Sequence, residues 1–314
     1  MLPFDHQTII IFCSILSVLL LASGISRCLA RRIPEGANSP AIDNLIQRIN
    51  AWWVMFLLLV GVSCFGLPGL CLLFAFVSLF CLREWIALVP AHKNDRSLLF
   101  FCFFGMIPLL YGLLAMGNVD APLPVMFLAA WLIPLWTALT GITDSYVHRV
   151  SQMIWGIILT LVCVCCIPAL LLLDIPGYEG ENLKLVLFLI LVTEMSDVLQ
   201  YVYGKLMGKH PIAPVLSPNK TREGLIGGGA TAVLLGALLH PITPFTWYQA
   251  TLFALLIVSS GFLGGLCLSA VKRNNGIKDF GALIKGHGGM LDRMDSLCFS
   301  APAFFYLVKF FFAE

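Results

Sequence analysis

The sequence predicts an all-α, polytopic integral membrane protein with about ten transmembrane helices, and a count of eight to ten fits the pattern. Three observations lead there. Hydrophobic residues make up 59% of the 314 residues, and charged residues only 11%, against about 25% in a soluble domain. The mean hydropathy is +0.93. The apolar residues also fall into runs that approach the roughly 20 residues a bilayer span requires. These runs are 7–26, 51–66, 69–82, 98–116, 122–142, 151–173, 184–203, 225–241, 248–271 and 296–312. The second and third are short and meet at Leu67-Pro68-Gly69, so a tight hairpin or a partly re-entrant pair is expected there.

The placement of basic residues tests this topology, because cytoplasmic loops carry the Lys and Arg. With the N-terminus outside, the inner loops hold Arg27, Arg31, Arg32 and Arg48, then Arg83, Lys93 and Arg96, then Arg149. They also hold Lys205, Lys209, Lys220 and Arg222, and finally Lys272, Arg273, Lys278, Lys285 and Arg293. That accounts for 17 of the 19 basic residues; only Lys184 and Lys309 fall outside. The outer loops hold Asp120, Asp174, Glu179 and Glu181. A net charge of +2 says little, but its one-sided placement favours anionic headgroups on the inner face, and no nucleic-acid partner is expected.

The first run lacks a basic n-region and a small-residue cleavage site, so it is read as a retained anchor. The 11 cysteines are scattered through apolar runs and read as small buried hydrophobes rather than zinc ligands or disulfides. The polar stretch 27–50 contains Pro34, Gly36 and Pro40, with a short interfacial helix expected at Asp43 to Arg48.

The chain divides into residues 1–183, with transmembrane helices and short loops, and residues 184–314, which carry the unusual polar chemistry. The seventh run places Glu194 and Asp197 three residues apart, on one helix face. Carboxylates inside a span are costly unless they face a cavity, a metal or a cation. The next loop has Pro211, Pro214 and Pro218, which forbid a regular helix. Gly227-Gly228-Gly229 then serves either close helix packing or close approach to a phosphate.

The segment SAVKRNNGIKDFGALIKGHGGMLDRMDS, from Ser269 to Ser296, concentrates eight of the chain's 36 charges. Basic side chains suit phosphates, carboxylates suit Mg²⁺, and Gly286, Gly288 and Gly289 around His287 allow close backbone approach. A transporter is disfavoured, since the first six runs are nearly uncharged inside and no paired halves appear.

The order S-x-x-K-R-x4-K-D-x-G, then G-H-G-G-x-x-D-R-x-D-S, resembles the signature of the phosphatidate cytidylyltransferase family. Ser269, Lys272, Arg273, Lys278, Asp279, Gly281, His287, Gly288, Gly289, Asp292, Arg293, Asp295 and Ser296 fall in register. Upstream, Asp197, Tyr201, Gly204, Gly208 and Lys209 are similar to the family's D-x-x-x-Y-x-x-G…G-K stretch. Ser217-Pro218-Asn219-Lys220-Thr221-Arg222-Glu223-Gly224 resembles its S-P-K-K-T-x-E-G box. The likeness covers residues 190–312 and implies that CTP and phosphatidate give CDP-diacylglycerol and pyrophosphate at the cytoplasmic face of a membrane. A bacterial inner membrane, and possible homodimers, are implied with it.

On this likeness, Mg²⁺ and a second cation would be held by Asp279, Asp197, Asp292 and Glu194. Lys272, Arg273, Lys278, Arg293 and Lys220 would neutralise phosphates. Asp292 and Asp295 would bind a second metal or orient the basic side chains, and His287 would touch a phosphate or cap a turn. Ser217, Thr221, Glu223, Lys209, Gly288 and Gly289 would line the substrate site. The family's G-D-L-x-E-S run reads Gly264-Gly265-Leu266-Cys267-Leu268-Ser269 here, so Gly265 stands where a metal-holding Asp is usual. Asn219 and Lys285 depart as well. A substitute ligand, a different acceptor, CTP-dependent lipid phosphorylation, or a weakly active relative would each fit that change.

Overall fold

The computed structural model describes residues 4–31, 40–88, 95–283 and 288–314. Among the described residues, nine helices run in chain order before a final pair: α1 His6–Arg31, α2 Pro40–Ser63, α3 Gly66–Ile86, α4 Arg96–Ala115, α5 Pro122–Leu139, α6 Tyr146–Leu172, α7 Leu183–Met207, α8 Gly224–Leu238 and α9 Trp247–Asn274. A single turn, α10 Leu291–Met294, precedes α11 Leu297–Phe312. Eight of these are long and apolar enough to cross a membrane, and α8 and α11 are shorter apolar helices. The ten expected runs are therefore all helical.

The second and third runs are corrected by the structure. Neither is short: α2 has 24 residues and α3 has 21. Their break lies at Cys64-Phe65, where Gly66 takes φ +59°, before the Pro68 that suggested a turn. The expected interfacial helix at 43–48 is the continuous start of α2. Arg32, Pro34, Gly36, Lys93, Lys285 and His287 lie outside the described residues.

Local chemistry sets several helix boundaries. Pro122 opens α5, where a missing N–H costs nothing. A Thr246–Gln249 capping box opens α9. Three helices contain a π turn, at Cys102–Met106 in α4, Ile158–Val162 in α6 and Gly224–Gly228 in α8. The one in α8 lies against α7. A Cβ on Gly224 would stand 2.7 Å from the Gln200 carbonyl oxygen, and one on Gly228 would overlap the Gln200 backbone. Packing therefore accounts for Gly228, and the glycine run brings α7 and α8 together backbone to backbone.

One buried core joins the two halves. It includes Leu82 and Trp85 of α3, Cys165 and Ile167 of α6, Phe188 and Val192 of α7, and Phe304 and Phe305 of α11. Polar groups pair within each end of the bundle. At the end assigned outside, buried Lys184 meets Asp5 at 3.0 Å and Glu181 at 2.9 Å, and Lys309 pairs with Asp120. At the other end, buried Arg149 pairs with buried Asp95. The two stray lysines of the charge pattern are thus neutralised by acids placed on their own side.

Gly228→Ala should lower the stability of the detergent-purified protein by about 1–3 kcal/mol, the usual cost of overpacking. Gly24→Ala, where an added Cβ meets nothing within 4 Å, is the control that should leave the thermal midpoint unlowered.

Candidate active site

The site forms where α7, α9, α10 and a hairpin meet, at the end of the bundle away from Lys184. On α7, the three-residue spacing brings Glu194 and Asp197 within electrostatic range of each other. Asp197 accepts a hydrogen bond from the Ser296 hydroxyl at 2.8 Å. Asp295, next to that serine, accepts from the Ser296 backbone N–H at 2.8 Å. Arg293 lies within electrostatic range of Glu194, Asp197 and Asp295, and its buried Nε has no hydrogen-bond partner among the described residues.

The prolines after α7 produce a two-stranded antiparallel hairpin, β1 Pro211–Ala213 and β2 Ser217–Thr221, with Pro211 opposite Thr221 and Ala213 opposite Ser217. Lys220 leaves this hairpin and reaches α9. Its ammonium lies 5.0 Å from the Phe262 ring centre and 2.5 Å from where a Cβ on Gly265 would stand. Burial holds Lys220 below the usual lysine range, while Asp295 and Asp197 pull it back upward. Burial also raises the Asp295 carboxyl, against the opposing charges of Lys272, Lys220 and Arg293. The empty side-chain position at 265 is therefore where the lysine ammonium fits.

Lys272 donates to Asp292 Oδ1 at 2.9 Å and lies 5.3 Å from the Phe280 ring centre. Asp292 Oδ2 accepts the backbone N–H groups of Phe280 at 2.8 Å and Gly289 at 2.9 Å. Asp292, expected as a metal ligand, is instead buried and committed on both oxygens. Arg273 is exposed and donates to the Leu216 carbonyl at 3.2 Å and the Ile277 carbonyl at 3.1 Å, tying the hairpin to the segment after α9. Lys278 and Asp279 are exposed at the rim, with Asp279 close to Gly288. Gly288 takes φ +84°, which requires glycine, and a Cβ there would meet Asp292 Oδ2 at 2.8 Å.

The remaining hairpin residues form its frame. Glu223 accepts from the Lys209 N–H at 3.0 Å and the His210 N–H at 3.2 Å, and meets His210 Nδ1 at 2.5 Å. The His210 contact, followed by the backbone donors, lowers the Glu223 carboxyl to about 2. Thr221 Oγ1 accepts from the Gly224 N–H at 3.1 Å, Ser217 pairs within the hairpin, and Lys209 is exposed. Glu194, Asp197, Lys220, Lys272, Arg293 and Asp295 are brought together; Lys209, Ser217, Thr221, Glu223 and Arg273 frame them. Glu84 was missed from the sequence: its carboxylate accepts the Met290 and Leu291 N–H groups, each at 2.9 Å. The available signal was a carboxylate in the last turn of an apolar span.

This end of the bundle gathers three carboxylates and three cations, from α7, the hairpin, α9 and the turn before α11, within electrostatic range of one another. The cytidylyltransferase family matches residues 46–311, and the chain belongs to that family of CTP-dependent nucleotidyltransferases. It is similar to the uncharacterized protein YnbB of Escherichia coli K12, 37% identical over 95% of this chain and 97% of that protein. It is also similar to phosphatidate cytidylyltransferases of Staphylococcus saprophyticus, at 43% identity, and Staphylococcus aureus, at 40%. Each of those matches covers 40% of this chain and 48% of the relative, so it spans about half the length of those proteins.

Nucleotidyl transfer implies Mg²⁺, and the donors can be tested for fit. Among the described residues, no three His, Cys, Asp or Glu side chains group to hold a metal ion. Asp197 and Asp295 do lie within electrostatic range, each with one carboxylate oxygen outside the hydrogen bonds above. Mg²⁺ is usually held by one or two carboxylates plus substrate phosphates, so this pair fits an ion arriving with a nucleotide and not an all-protein cage.

Two outcomes follow. Gly265→Asp should fold, because the flexible end of Lys220 can shift to pair with the new carboxylate. Gly265→Leu should expel Lys220 from the cleft and abolish cytidylyl transfer while the protein still elutes as a folded species. Glu223 has a depressed folded-state value, so its contribution is complete above the unfolded value near 4.5 and is lost as pH falls towards about 2. Amide exchange at residues 209 and 210, corrected for intrinsic rates, should stay constant from pH 5 to 8 and accelerate only below about 4.5.

Proposed function

We propose that the chain transfers the cytidylyl group of CTP to phosphatidate, giving CDP-diacylglycerol and pyrophosphate at the cytoplasmic face of a bacterial inner membrane. One observation carries the lipid part of this reading. Asp197 is exposed on a membrane-spanning helix and is flanked by exposed Val198, Tyr201 and Val202. A charged group on such a face is expensive unless a polar headgroup comes to it. The named staphylococcal relatives support the same acceptor.

The reaction joins two anions. A phosphatidate phosphate oxygen attacks the α-phosphorus of CTP, the α–β bridging bond breaks, and pyrophosphate leaves with the electron pair. The protein's work is positioning and charge neutralisation. Lys220 and Arg293 meet the reacting phosphates inside the cleft, and the unpartnered Nε of Arg293 is a donor ready for a phosphate oxygen. Lys278 and Asp279 stand at the open rim, where a nucleotide enters from water. Mg²⁺ held by Asp197 and Asp295 would supply further neutralisation at the phosphates. Lys272, paired with Asp292, fixes the loop beneath them.

The purified protein, supplied with labelled CTP, Mg²⁺ and phosphatidate in detergent, should form a CDP-lipid and release pyrophosphate in equal amounts. Lys220→Met and Asp295→Asn should each lose about a hundredfold or more in turnover, the scale for removing one charge-stabilising group. Product with a different lipid phosphate alone would redirect the acceptor. No product with any lipid phosphate would overturn the reading.

A further inference from the structure

We propose that Glu84, on the N-terminal half of the chain, is the positioning residue that holds residues 288–291, the run leading into Asp292, in their working shape. Its carboxylate accepts the N–H groups of Met290 and Leu291, both at 2.9 Å, across 206 and 207 residues of sequence. Asp292 takes the N–H groups of Phe280 and Gly289. Two carboxylates from separate elements thus account for four backbone donors of one loop.

The neighbouring glycines make room for this arrangement. A Cβ on Gly281 would lie 2.6 Å from Glu84 Oε1, and one on Gly289 would overlap the Glu84 carboxylate. Gly289, one of the glycines expected to allow close backbone approach to a ligand, therefore leaves room for an internal acid. Trp85, the next residue, stacks on Phe280 with ring centres 6.4 Å apart and is fixed in turn by a 3.0 Å hydrogen bond to the Gln152 carbonyl. The inner end of α3 is a pedestal on which the loop rests at both of its ends.

The loop leads directly into the reacting groups. Asp292 orients Lys272, and Arg293 and Asp295 follow within the next three residues. Charge-assisted bonds from a carboxylate to backbone N–H are roughly twice as strong as neutral ones, so their loss loosens the loop more than its fold. Glu84 touches no reacting atom. It acts through the loop, and its effect on turnover rests on the cytidylyl-transfer reading.

The test combines hydrogen exchange with kinetics on the full-length protein. In Glu84→Ala, amides 289–291 should exchange at least tenfold faster, while α7 and α11 keep wild-type protection. CDP-lipid turnover should fall at least tenfold, with the KM for phosphatidate within about threefold of wild type. Glu84→Gln, whose single carbonyl replaces one of two acceptors, should fall between wild type and Glu84→Ala on both readouts. Gly289→Ala, which displaces the carboxylate without removing it, should reproduce the faster exchange. Unchanged exchange at 289–291 in Glu84→Ala and Glu84→Gln overturns the proposal, as does faster exchange with full turnover. If wild type makes no CDP-lipid yet the exchange pattern holds, the functional reading fails and the hold of Glu84 on the loop stands.

Discussion

Clustered charge is the constraint on which this structure depends. Glu194 and Asp197 on α7 and Asp295 just before α11 meet at one end of an apolar bundle. Carboxylates in that setting persist only with cations and donors beside them, because each loses several kcal/mol of hydration. Lys220 arrives from the hairpin, Lys272 from the end of α9, and Arg293 from the turn before α11. Satisfying the acids therefore fixes the relative positions of four elements. Glycines on α9 allow the approach: Gly264 faces the Asp295 carbonyl, Gly261 faces Ser296, and Gly265 receives the end of Lys220. Without that small-residue stripe, the acids could not reach their counter-charges.

The same accounting changes the meaning of the glycine-rich loop. A flexible backbone near cationic side chains suggests N–H groups aimed at a phosphate. Here the N–H groups of residues 280, 289, 290 and 291 are taken by Asp292 and Glu84. Those four N–H groups are satisfied internally, so these residues serve as a support. Among the described residues the buried Nε of Arg293 has no hydrogen-bond partner, which on the proposed reading leaves it for a phosphate.

Much of this was legible in the sequence, for local reasons. Hydropathy located all ten helical runs, because a span must be apolar along its whole length. The three-residue spacing of Glu194 and Asp197 put them on one face, because helix geometry is local. The two basic segments were expected at one end, and Arg273 joins them. Long-range satisfaction was not legible. Asp292 looked like a metal ligand because nothing nearby in sequence reveals that Phe280 and Gly289 consume one of its oxygens. Glu84 looked like an ordinary interfacial acid, since its partners lie more than 200 residues away. The α2–α3 break was misplaced because proline and glycine were weighted over the length of apolar run a span needs. Gly265 read as a lost carboxylate, whereas in three dimensions it is space for an ammonium.

That space bears on how two unlike reactants can share one site. On the proposed reading, a nucleotide is carried by water and a lipid phosphate by the bilayer, so the site must be reached from both. Lys278 and Asp279 are exposed after α9, and Asp197, Val198, Tyr201 and Val202 are exposed on α7. Lys220, on the hairpin, lies within electrostatic range of Asp197 and Asp295. A carboxylate at position 265 would pair with that ammonium and hold it in the wall. With glycine there, the ammonium sits where that side chain would be, within electrostatic range of Asp197 and Asp295. The missing side chain thus gives a protein cation the position that a fixed acid would otherwise have claimed.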